Sequence, residues 1–165
     1  MSGRLGDIVT ELARRTGTAI DDMSDEHERW AVYQPAFERG DCSDLLFDAV
    51  AAESVPSVAL SIVLQMLGTL PASARPAWIE QLALPDNREY ATRRANDIAI
   101  LQSADVTRLL VDEDVQDSWS DWLQLRLAEF SKESDVLSRL MAKGRTKRIR
   151  RYAMERHAAV ERGLF

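Results

Sequence analysis

A chain of 165 residues with 45% apolar and 29% charged side chains has enough material for a packed core, which excludes a disordered polypeptide. A formal net charge of -6 opposes general attraction to phosphate backbones, and a single cysteine, Cys42, excludes an intrachain disulfide or a cysteine-built zinc site. The longest apolar run, VPSVALSIVLQMLGTL, contains serines and a glutamine and is too short to span a bilayer, so no membrane partner is expected.

The N-terminus, MSGRLGDIVTELARR, mixes charges with apolar residues and lacks a signal peptide's apolar block, so a cytoplasmic location is expected. Within it Leu5, Ile8, Val9 and Leu12 have helical spacing, and Gly17 follows the helix end. Ser24 reads as the next N-cap, with Asp25, Glu26 and Glu28 in the first turn. Trp30, Tyr33 and Phe37 would share one face, and Pro35 should kink or split that helix.

Ser43 is placed to cap DLLFDAVAAE, and Pro56 opens an apolar helix near 56–69. PASARP reads as a turn before the short helix PAWIEQL. LPDN is another break, with Asp86 or Asn87 as cap of the helix that carries Tyr90, Arg94, Ile98 and Leu101 on one side. Further short helices are predicted near 104–112, 117–130, 134–142 and 146–162. No strand-like alternation and no Asn-Gly or Asp-Gly hairpin pair occurs. About ten short helices joined by short turns describe one all-α domain over 1–165.

The second half shows internal similarity. Asp105, Val106 and Leu110 of SADVTRLL recur as Asp135, Val136 and Leu140 of ESDVLSRL, and RRANDI resembles LRLAEF upstream. The stretch RLAEFSKESDVLSRLMAKGRTKRIRRYAMER resembles HEAT-like and variant leucine-rich helical repeats, over residues 90–162 most clearly and 42–70 more loosely. Its offset of 30 residues is shorter than the HEAT period of roughly 40. The resemblance implies an α-solenoid, a right-handed stack of antiparallel helix pairs, more degenerate over 1–85 and more regular over 86–165. Such pairs share a core that no pair could bury alone.

Charge is unevenly spread. Residues 1–60 hold 5 basic and 12 acidic side chains, residues 61–140 hold 8 and 13, and residues 141–165 hold 8 and 2. The run KGRTKRIRR therefore stands out. On a helix, Ile149, Tyr152, Ala153 and Val160 form a core stripe, and Lys147, Arg148, Arg150 and Arg151 project away from it. The simplest reading is the solvated face of a terminal helix, the sharper one is contact with phosphate or an acidic partner, and a third is intramolecular or head-to-tail pairing with the acidic N-terminal region.

Two acidic stretches are candidate contact surfaces for a basic protein, 112–122 first and 21–28 second. VDEDVQDSWSDW presents Asp112, Glu113, Asp114, Asp117 and Asp121 around Trp119, with Trp122 three residues before Leu125 and directed at the core. Trp119 lies three residues from Trp122, so core packing is the first expectation for it as well; exposed and ringed by acids, it would instead anchor a cationic partner. DDMSDE presents Asp21, Asp22, Asp25 and Glu26, whose spacing fits a helix start better than a magnesium motif. Neither stretch has the glycine and terminal glutamate of a calcium loop. His27 and His157 lack a second ligand at metal spacing, and no phosphate-binding or nucleophile motif occurs. The expected function is a non-enzymatic protein-binding module without cofactor, in one form an acidic inhibitor or immunity protein for a basic bacterial toxin. The alternative is a HEAT-like nucleic-acid binder that uses Lys147, Arg148, Arg150 and Arg151.

Overall fold

A computed structural model describes residues 3–103, 106 and 115–164. The protein is all-helical there, and no strand occurs among the described residues. The helices are α1 (Gly3–Thr16), α2 (Glu26–Ala36), α3 (Ser43–Ala52), α4 (Pro56–Met66), α5 (Arg75–Glu80), α6 (Pro85–Leu101), α7 (Val115–Ser118), α8 (Asp121–Phe130), α9 (Ser134–Lys143) and α10 (Lys147–Glu161). A 3₁₀ turn, Gly40–Cys42, precedes α3. None of these helices is long and apolar enough to cross a membrane. The chain divides into two compact units, Met1–Ala95 and Asn96–Phe165, and the division falls within α6.

In the first unit α1 buries the predicted stripe Leu5, Ile8, Val9 and Leu12 against α2 and α3. Burying each such side chain contributes about 1.5–3 kcal/mol, which outweighs the weak intrinsic stability of a short helix. Gly17, at φ +72°, closes α1: the Thr18 amide donates to the Ala13 carbonyl at 3.1 Å. Only glycine adopts this left-handed conformation at no steric cost. α4 packs on α3 and α2, and Phe47 meets Trp78 edge to face, linking α3 to α5.

Several caps differ from the sequence expectation. Asp25, not Ser24, caps α2, accepting from the His27 amide at 2.7 Å. The Ser24 hydroxyl is instead bound to Asp22 at 2.6 Å. Ser43 is the first residue of α3, and its predecessor Cys42 makes no side-chain cap bond. α6 starts at Pro85, and the Asn87 amide reaches the Pro56 carbonyl at 3.2 Å rather than capping. Pro35 does not split α2. It sits one residue before the helix end, where its missing amide and ring end the ladder.

The second unit is built on Val106, Trp119, Leu123, Leu127, Val136, Leu137, Leu140, Ile149 and Ala153, all buried in one cluster. Val106 and Val136, equivalent in the sequence repeat, both enter that core. Ser120 caps α8 by accepting from the Leu123 amide, and its hydroxyl donates to the buried Asp97 at 2.6 Å. α8 and α10 run in the same direction. Arg145, just before α10, binds the start of α8, whereas Arg156 near the end of α10 donates to the Ser131 carbonyl at the end of α8. α9 runs the opposite way, and α10 packs against both α8 and α9. Gly144 permits the tight α9–α10 turn: a Cβ there would clash with the Leu140 carbonyl oxygen and lie 2.9 Å from Ile149 Cγ2. The predicted helix near 104–112 lies outside the described residues, apart from the buried Val106.

Candidate functional site

The acidic turn at 21–26 is held by a buried ionic clasp. Arg29, on the first turn of α2, is 2% exposed. Its Nε and Nη2 donate to the two carboxylate oxygens of Glu53 at 3.0 and 2.7 Å. Its Nη1 donates to the carbonyls of Met23 and Ser24, both at 3.0 Å. Glu53 lies just past the end of α3 and also accepts from the Tyr33 hydroxyl at 3.1 Å and the Val55 amide at 3.1 Å. A guanidinium and a carboxylate removed from water are tolerated because donors and acceptors are matched in fork geometry. Burial, then the negative charge of Glu53, push the Tyr33 phenol well above its ordinary value.

Around this clasp the turn folds back on itself. Glu28 Oε2 accepts from the amides of Asp21 and Asp22 at 2.8 and 2.7 Å. Asp22 accepts from the Ser24 amide and hydroxyl, bonds that hold its carboxyl below the ordinary range. The backbone is thus fixed from both sides, while Asp21, Asp22, Asp25 and Glu26 remain exposed. Four acids of one stretch face solvent on a pre-ordered loop. The clasp itself was not legible in the sequence. Arg29 and Glu53 are 24 residues apart, and the only hint was an arginine on a helix face otherwise made of Val32, Tyr33 and Ala36.

The other predicted acidic surface is different from expectation. Asp112, Glu113 and Asp114 lie outside the described residues. Asp117 and Asp121 are exposed, but Asp121 is paired with Arg145 at 2.6 Å. Trp119 is 3% exposed and belongs to the core, so it is not a surface anchor. Its carbonyl is taken by Arg145 Nη2 at 2.8 Å and by the Gln124 amide at 3.3 Å. Trp122 packs against the same core but is only partly buried, and the Arg126 guanidinium lies 5.8 Å from both its ring and that of Phe130. Phe130 is 64% exposed.

The basic run occupies α10 as predicted. Ile149 and Ala153 are buried, with Tyr152 and Val160 packed beside them. Lys147, Arg148 and Arg151 are exposed, and Arg150 is half-buried with its guanidinium on the Gly144 carbonyl. Arg148 and Arg151 both stack on Tyr152, at 5.4 and 5.1 Å from the ring centre. Thr146 caps the helix, and no acid stands in its first turn. The Asp21–Glu26 turn belongs to the first unit and α10 to the second.

Cys42 is buried, and burial raises its thiol above the ordinary value, which disfavours the reactive thiolate. His157 lies 3.2 Å from the Ser138 hydroxyl and 3.9 Å from Glu161. Among the described residues no group of three or more His, Cys, Asp or Glu side chains is placed to hold a metal ion. No protein-family model matches the chain, and neither the curated proteins nor the solved structures give a match.

Proposed function

We propose that this protein is a non-enzymatic helical-repeat binding module that uses its acidic turn to dock on a basic protein. One concrete form is an inhibitor or immunity protein that covers a cationic bacterial toxin. The observation that carries this reading is the clasp. Arg29 is removed from water to fix the Met23 and Ser24 carbonyls, and the result is an ordered row of exposed acids. A loop fixed before binding loses less entropy on docking, and clustered carboxylates steer a cationic partner toward it. The HEAT-like repeat class is supported by the recurrence of Asp105, Val106 and Leu110 as Asp135, Val136 and Leu140, with Val106 and Val136 in one core.

The test is capture of partners from source-cell lysate at low salt, wild type against an Asp21→Asn/Glu26→Gln variant. These two side chains make none of the turn's own bonds described above, so the variant keeps the fold. Cationic proteins retained by wild type and lost by the variant are the expected result. A variant that retains every partner sinks the reading.

A further inference from the structure

α10 carries a second surface that its own core leaves uncovered. Lys147, Arg151, Met154 and Ala158 fall at successive helical turns, and all four are exposed. Met154 is 54% exposed in the middle of that row. Arg148 lies beside it, fixed against Tyr152 together with Arg151. The second unit, residues 96–165, holds twelve basic and twelve acidic side chains, a balance of zero, but eight of the basic and only two of the acidic ones are gathered in 141–165. Residues 1–95 hold nine and fifteen, a balance of -6. Several cations of the second unit are already taken: Arg145 by Asp121, Arg150 by the Gly144 carbonyl, Arg156 by the Ser131 carbonyl. Those of the α10 row are not consumed in this way. Among the described residues Arg151 meets one carboxylate, Glu155 at 3.7 Å, and Lys147 and Arg148 bond none.

We infer that the outer row of α10 docks on the acidic turn and α2 of a second copy of this chain, head to tail. The complementary charges are both on this chain, and α2, which starts at the turn, exposes Ala31 and Pro35 along its length as counterparts for Met154. The two surfaces are different, so the contact is heterologous and propagates into rings or short chains rather than closing as a symmetric pair. Exposed ion pairs are individually weak and are screened beyond about 8 Å at physiological salt, so the association is salt-sensitive. The inference rests on the acidic turn being a docking surface and adds the occupant.

Sedimentation velocity on the full chain tests this. At low salt the wild-type mass should rise with protein concentration, and about 0.5 M salt should reverse it. An Arg148→Gln/Arg151→Gln variant and an Asp21→Asn/Glu26→Gln variant should each self-associate at least about tenfold more weakly, the change that 1.4 kcal/mol produces. Mixed one to one, they should give dimers and nothing larger, since each supplies the surface the other lacks. Wild type that stays monomeric at low salt overturns the inference. So does self-association untouched by the α10 variant, or an α10 row that binds single-stranded oligonucleotide while the protein remains monomeric. The α10 variant keeps its acidic turn. If self-association fails while that turn still captures cationic proteins, only this inference is lost. If capture fails while self-association persists, only the preceding function is.

Discussion

Arg29 and Glu53, 24 residues apart, meet in a two-pronged ion pair from which water is excluded on both sides, with side-chain exposures of 2% and 0%. This pair joins the start of α2 to the end of α3, and through the Met23 and Ser24 carbonyls it also sets the path of the acidic turn. Fold stability and presentation of the candidate surface therefore depend on the same guanidinium.

Arg29→Ala should destabilise the protein by about 3–5 kcal/mol, because it leaves the Glu53 carboxylate buried without its partner. Urea denaturation measures this. A second readout follows from the geometry: amide exchange at residues 21–26 should accelerate more than exchange in α9 and α10. Equal acceleration in both units would show that Arg29 serves general stability and does not hold the turn in particular.

Gly144→Ala should cost about 1–3 kcal/mol through overpacking, since the added methyl meets the Leu140 carbonyl and the Ile149 side chain. The cost arises from close approach, since Gly144 has φ -55°. Thermal denaturation should show a lowered midpoint. By contrast, Gly40→Ala meets no atom within 4 Å and should change stability little.

Tyr33 and Glu11 should both contribute to the pH dependence of stability. Tyr33 is raised above its ordinary 10.0 by burial and by Glu53. Its neutral form is therefore favoured in the fold, and its contribution is fully present below pH 10 and lost as pH rises beyond that. Tyrosinate absorbance should show one of the three tyrosines ionising only as the protein unfolds, and Tyr33→Phe should remove that component. At the acid end, bonds from Arg14 and Arg15 lower Glu11 from 4.5 to about 2. That contribution is present above pH 4.5 and fades as pH falls toward 2, which carboxyl chemical shifts of Glu11 can follow directly.

Much of the architecture was legible from local patterns. The stripe Leu5, Ile8, Val9 and Leu12, the α1 terminator Gly17, Pro56 at the start of α4, and the buried Ile149 and Ala153 of α10 all follow from helical spacing and backbone preference. Those are properties of neighbouring residues. The caps were less legible. Ser24 and Asp25 are both good cap residues, and Asp22 decided between them by taking the serine hydroxyl. Trp119 and Trp122 lie three residues apart on either side of a helix start, so a period could not say which would be buried more deeply. The extended conformation of Ser120 between them broke the helical spacing.

The sequence by itself determined that this chain forms short amphipathic helices, that its ends carry opposite charge, and where its acids and cations cluster, because composition and period are local. Only the tertiary structure decided which charges are available. It buried Arg29 and Glu53 together, spent Asp121 on Arg145, and left Asp21, Glu26 and the outer row of α10 facing solvent. Pairing between charges distant in sequence depends on where packing brings their helices, and no local pattern encodes that placement.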